Sequence, residues 1–304
     1  AEGADVNETQ GDGMSALHWA AEFGHAEVVD LLLSAGAAME AKTRIGSYTP
    51  LHLASRSGHG QIASALLDAG ANPHAITTNS GVTSLHLAAS AIDGVDAVTA
   101  LLRHGALVDA REVSSGGQTP LIFAAAHNRT EVVVELLGHG ADPATRTETI
   151  DVLRNFAIDE EATRRLREEM PELLDSGRGL AVPAREPSPA QSQAAIIAQR
   201  DFLLSGYDPG EVNAESLSRP RPDYPGGPPV MRPPYREVLV GKTGGMSALL
   251  HAAREGHVES ALALLDGGAD IDQVSADNTS PLLIATLNGQ FDLAMLLVAR
   301  GANP

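Results

Sequence analysis

The chain has 304 residues, 43% of them apolar, which is enough to bury a sizeable core and, by length alone, to make about two ordinary domains. It has no cysteine, which excludes disulfides, thiolate metal sites and cysteine nucleophiles. A formal charge of -18 and a pI near 4.9 argue against a nucleic-acid backbone or an anionic membrane surface as the main partner, and for a neutral or basic protein.

No apolar run reaches the roughly 18 residues that a membrane span requires, so membrane insertion is not expected. All but two of the 21 basic residues are Arg, the exceptions being Lys42 and Lys242, and Ala is abundant; GC-rich coding and a bacterial source are the expectation. The opening EGADVN (Glu2 to Asn7) reads as the tail of a unit whose front is missing, and RGANP (Arg300 to Pro304) as a tail without a successor. The sequence is therefore expected to be a fragment of a longer protein.

Between these ends one pattern recurs six times. Its leucines are Leu17, Leu51, Leu85, Leu121, Leu249 and Leu282, spaced 34, 34, 36, 128 and 33 residues apart. Hydroxyls at Ser15, Thr49, Thr83 with Ser84, Thr119 and Ser280 supply N-caps, and Pro50, Pro120 and Pro281 take the first helical position, where a missing N–H costs nothing. Seven residues after the leucine stands Gly24, Gly58, Gly256 or Gly289, with Asn128 in the fourth unit, all types that tolerate the left-handed end of a helix. A first helix of about two turns is predicted.

A second amphipathic helix follows, with pairs such as Leu32/Leu33, Leu66/Leu67, Leu101/Leu102, Leu136/Leu137 and Leu264/Leu265 on one buried face. Gly-Ala stops it at Gly36, Gly70, Gly105, Gly140, Gly268 and Gly301. Small residues behind the leucine, among them Ala20/Ala21, Ala54 and Ala88/Ala89, allow neighbouring helices to approach closely. In the third unit, SAIDGVD (Ser90 to Asp96) predicts a longer turn between the helices. One pair of short helices cannot bury its apolar stripe alone, so the units are predicted to stack into a solenoid.

The spacing of 128 leaves about 95 residues over a repeat period near 33, inserted at a junction between units. DEEATRRLREEMPELL (Asp159 to Leu174) and QSQAAIIAQRDFLL (Gln191 to Leu204) are its helix candidates. Pro209 to Pro234 holds eight prolines, and an extended or disordered linker is expected there, although RPRPDYPGGPPVMRPPY (Arg219 to Tyr235) also fits a loose polyproline-ligand pattern. Residues 151–236 carry 14 acidic and 11 basic groups, net -3, so the repeats and junctions hold the remaining -15. Three regions result: repeats over 1–148, the insertion over 149–236 and two further repeats over 237–304.

The histidine beside the leucine is His18, His52 and His86, but the same slot holds Ile122, Leu250 and Leu283. A residue that Ile and Leu replace within one array is structural. Trp19, in the next slot along with Leu53, Leu87 and Phe123, is predicted to be core, and His25, His59 and His257 to be solvated cap residues. No HExxH or Gly-x-Ser-x-Gly pattern is present, and VGKTGG (Val240 to Gly245) lacks the earlier P-loop glycine, its place being taken by Arg236. No catalytic, cofactor-binding or metal-binding residues are assigned, and no cofactor is expected.

The stretch TPLHLASRSGH (Thr49 to His59), continued by ALLDAGANP, resembles the ankyrin repeat, and the other five units match it in register over residues 1–148 and 237–304. The resemblance implies an all-α solenoid of stacked helix-turn-helix units with β-hairpin fingers, here interrupted by a partly disordered insertion, in which the motif histidine hydrogen-bonds the turns. It also implies a non-enzymatic scaffold, expected to be monomeric, whose protein partner lies on a concave face of fingers and first-helix ends. Carried over position by position, that face comprises Met14, Glu22 and Phe23; Tyr48, Arg56 and Ser57; Val82; Gln118 and His127; Met246, Arg254 and Glu255; and Thr279, Leu287 and Asn288. The alternative is a regulatory or substrate-recruiting arm of an enzyme whose catalytic part lies outside the fragment. Bacterial ankyrin proteins with long insertions are often exported, which with the absence of cysteine favours a periplasmic or exported location over the cytoplasm.

Overall fold

The computed structural model describes residues 5–169, 189–212, 219–222, 229–232 and 241–304. They form two compact units, Ala1–Glu148 with Gly244–Pro304, and Thr149–Thr243. In chain order the first unit contributes α1 (Ala16–Glu22), α2 (Ala26–Ser34), α3 (Pro50–Arg56), α4 (Gly60–Asp68), α5 (Ser84–Ser90), α6 (Val95–Arg103), α7 (Pro120–Ala126) and α8 (Thr130–Gly138). Then come β1 (Thr149–Asp151), α9 (Val152–Glu169), α10 (Pro189–Leu204), β2 (Arg219–Pro222), β3 (Pro229–Arg232) and β4 (Lys242–Gly244). The repeats resume with α11 (Ala248–Glu255), α12 (Val258–Asp266), α13 (Pro281–Leu287) and α14 (Phe291–Ala299).

Each unit of the array is a helix pair. First helices pack in one row, α1 on α3, α3 on α5, α5 on α7, α7 on α11 and α11 on α13, and second helices in another, α2, α4, α6, α8 and α12. The repeated leucine drives this stacking: Leu17, Leu51, Leu85, Leu121 and Leu249 are at most 1% exposed, each burial worth about 2 kcal/mol. Ala21, Ala54, Ala89, Ala125 and Ala253 are fully buried beside them and leave room for the next backbone. First helices stop where the backbone turns left-handed, at φ of 78° for Gly24 and 74° for Gly58, and at 55° for Asn128, whose short side chain tolerates that region.

The motif histidines close the turns. The nitrogens Nδ1 of His18, His52 and His86 lie 2.8, 2.8 and 2.9 Å from the hydroxyls of the N-caps Ser15, Thr49 and Thr83. Each Nε2 lies 3.1 Å from a carbonyl of the next finger, that of Tyr48, Ala75 or Gln118. A carbonyl only accepts, so Nε2 carries the proton and Nδ1 accepts from the cap. Burial lowers the pKa of all three, that of His52 to about 4, against the partial compensation of the backbone carbonyls. The ring is therefore a neutral two-ended brace between repeats.

His59 and His257, expected to be solvated caps, are half-buried braces as well. Their Nε2 atoms lie 3.2 Å from the carbonyls of Glu22 and Ala126, each at the end of the preceding first helix. Helix ends leave carbonyls without an intrahelical partner, and the following repeat supplies one.

Every finger is closed by an equivalent backbone bond: Gln10 N–H to Met14 C=O, Thr43 to Tyr48, Thr77 to Val82, Glu112 to Gln118, Thr147 to Met246 and Ser275 to Thr279. The fifth pair differs only in that the chain leaves and returns between its members. Neighbouring fingers are laced by Arg44 N–H to Asp12 C=O, Thr78 to Gly46, Val113 to Ser80, Glu148 to Gly116 and Ala276 to Gly244. The ladder thus runs past the insertion without a break.

In the second unit β1 pairs with β4, and α9 packs on α10. α9 begins at Val152, ahead of the expected Asp159, because the Asp151 carboxylate accepts from the Arg154 N–H at 2.9 Å and caps the helix. The expected end of that helix at Leu174 lies outside the described residues. Phe202 is buried under the Arg165 guanidinium, 4.5 Å from its ring centre, with the Tyr207 ring at 5.0 Å. Within the expected linker, β2 and β3 pair antiparallel, Arg219 opposite Arg232; its residues 213–218, 223–228 and 233–234 lie outside the described ones.

Candidate protein-interaction face

The finger residues Met14, Tyr48, Gln118, Met246 and Thr279 follow from the closing bonds: each gives its carbonyl to its own finger, and the side chain is partly exposed. Val82 departs from the expectation. Its backbone bonds Thr77 as the others do, but its side chain is only 6% exposed, a short β-branched group packed under the finger with too little surface to meet a partner. At the first-helix ends Phe23, Arg56, His127, Arg254, Glu255, Leu287 and Asn288 are exposed, and Glu22 and Ser57 half-buried. Arg254 pairs with its neighbour Glu255 at 2.9 Å, and the amide of Asn288 donates to the Ile284 carbonyl at 2.8 Å.

Five of these residues converge. Met14, Glu22, Phe23, Tyr48 and Arg56 line one pocket of about 320 Å³ between the first and second repeats of the array, with Asp12, Trp19, Thr43, Ile45 and Leu53 completing its wall. Trp19 is not core. It is 36% exposed and stacks on Phe23, the residue that caps α1 one turn on, rings 5.6 Å apart and 7° from parallel. Leu53 in the equivalent slot is buried; the larger indole extends past that slot onto Phe23. Ile45, 84% exposed at the finger tip, is with Asp12 and Thr43 a pocket residue that the sequence did not single out. Opposite, the Arg56 guanidinium lies 5.5 Å over the Tyr48 ring and forks onto both Glu22 oxygens at 2.7 and 2.9 Å. Gln118, His127, Met246, Arg254, Glu255, Leu287 and Asn288 occupy the corresponding positions of later units and do not join this pocket.

The array carries 24 acidic and 9 basic side chains, counted over residues 1–148 and 244–304, net -15. Seven of the nine basic groups are already engaged. Arg44, Arg111, Arg129 and Arg146 donate to backbone carbonyls of Gly11, Gly117, Ser90 and Val274, while Arg56, Arg254 and Arg300 meet carboxylates. The surface field is therefore strongly negative. Among the described residues, no group of three or more His, Asp or Glu side chains is arranged to hold a metal ion, and no helix is long and apolar enough to cross a membrane.

A family model described as ankyrin repeats (3 copies) matches residues 1–77, 70–147 and 236–304. No curated protein matches the chain. Ankyrin repeats are in general protein–protein interaction modules, and proteins built of them are typically non-catalytic scaffolds. With six helix pairs in register and most of its length matched by that model, the chain belongs to the ankyrin repeat family.

Proposed function

We propose that the chain is a non-enzymatic scaffold that holds a basic or neutral protein partner on the face built from finger residues and first-helix ends. The observation that carries this reading is the pocket at Trp19, Phe23 and Tyr48, where two exposed aromatic side chains and a half-buried one stand beside carboxylates. Large rigid aromatic groups in a pocket are the usual anchors of an interface, and a preformed array loses little entropy on binding. Capture from lysate, read by mass spectrometry, tests it with the intact chain and a Phe23→Ala/Tyr48→Ala double variant. A protein retained by the first and lost by the second, at unchanged circular dichroism, is the expected result. Equal capture by both overturns the placement of the face.

A further inference from the structure

We infer that the pocket between the first and second repeats takes an arginine side chain from a basic segment of the partner, its guanidinium lying on the Trp19–Phe23 stack and its donor fork on the Asp12 carboxylate. The inference deepens the proposed function and rests on it. A volume of about 320 Å³ is near the lower limit of ligand pockets, enough for one long side chain.

The walls select the group. Trp19 and Phe23, stacked at 7° from parallel and 36% and 62% exposed, still leave ring surface open to solvent. Planar, weakly hydrated guanidinium stacks on such faces, whereas a lysine ammonium is a hydrated point charge. An aliphatic anchor would use the rings but strip water from Asp12 and Glu22 without replacing it. Glu22 is matched by Arg56. Asp12 has no ion pair among the described residues; it accepts the Met14 N–H at 2.9 Å, which leaves lone pairs of its carboxylate for a donor from outside. Nearby Arg44 is spent on the Gly11 carbonyl at 2.7 Å.

The molecule already contains one copy of the contact. Arg56 lies over the Tyr48 ring and forks onto Glu22 on the opposite wall of the same pocket. The inferred ligand repeats that arrangement on Trp19, Phe23 and Asp12, drawn in by the net charge of the array.

Trp19 is the single tryptophan of the chain, so its emission reads this pocket and nothing else. The experiment titrates the whole protein, into the millimolar range, with the blocked peptide Gly-Ser-Arg-Ser-Gly and with versions carrying citrulline or leucine at the centre. A saturable change is expected for the arginine peptide, at least tenfold weaker for citrulline, which keeps the shape but lacks the charge, and for leucine. Asp12→Asn, which can still accept the Met14 N–H, is expected to weaken the arginine peptide at least tenfold at unchanged melting temperature. Leucine binding as tightly as arginine, no saturation by any peptide, or indifference to Asp12→Asn would each overturn the inference. If the peptides are inert while the double variant still loses a captured partner, the arginine fails and the face stands; if both fail, the face fails too.

Discussion

The junction between the first and second units and that between the fourth and fifth are built alike, although one is spanned by continuous chain and the other by an inserted unit. His59 reaches the Glu22 carbonyl at 3.2 Å in the first, and His257 reaches Ala126 at the same distance across 131 positions of sequence in the second. They differ in the slot beside the leucine. His18 braces Tyr48 in the first, whereas Ile122 can brace nothing. The interrupted junction compensates with a buried polar link, Ser260 donating to Asn128 Oδ1 at 3.0 Å and so accepting from Thr130 at 3.0 Å. Stacking is thus specified by side chains that each unit carries, and chain continuity is secondary.

The largest way to break the comparison is at the braces. His52→Ala removes a buried ring bonded at both ends and is expected to cost about 2 to 4 kcal/mol in urea unfolding, through a cavity and two unsatisfied backbone groups. The acid response follows from the same residue. Its pKa is about 4 in the fold against 6.5 when unfolded, so the unfolded chain binds the proton first. Stability is full above pH 6.5 and falls as the pH drops to 4, by up to about 3 kcal/mol for this group. Unfolding midpoints at pH 7 and 4.5 are expected to differ less in His52→Ala than in the parent.

Removing 149–243 sharpens the comparison from the other side. Joining Glu148 to Gly244 leaves three residues between Thr147 and Met246, as between Ser275 and Thr279. Closing a loop of a few residues rather than about 95 is expected to stabilise the array by at most about 3 kcal/mol, visible as a raised urea midpoint; a loss of stability would mean that the inserted unit supports the stack. Ser260→Ala, at the interrupted junction alone, is expected to cost about 1 to 2 kcal/mol by chemical denaturation. Arg56→Ala breaks a partly exposed ion pair and is expected to change stability by less than about 1 kcal/mol in the same assay.

The repeat was legible because its signals are local: the caps at Thr49 and Thr119, the stop at Gly24 and the leucine each act within one helix. What the sequence hid depends on neighbours. Trp19 shares a slot with buried Leu53 but is too large to fit within it, and Ile45 carries no periodic signal because it sits on a finger tip. Val82 matched the finger position yet packs beneath it, while His59 and His257 found carbonyls that only stacking supplies. The early start of α9 rests on Asp151, a single capping residue with a weaker signal than the charge pattern from Asp159.

The open fifth finger has a consequence for how such a protein changes over time. Since the strands that leave and re-enter at Glu148 and Gly244 meet again at the Thr147–Met246 bond, what hangs between them is exchangeable cargo. If the array keeps its stability without 149–243, a whole domain can be acquired, remodelled or discarded at that point with no substitution in the stack. Finger length then becomes a free variable of descent, while the helix pairs remain under the constraint of mutual fit.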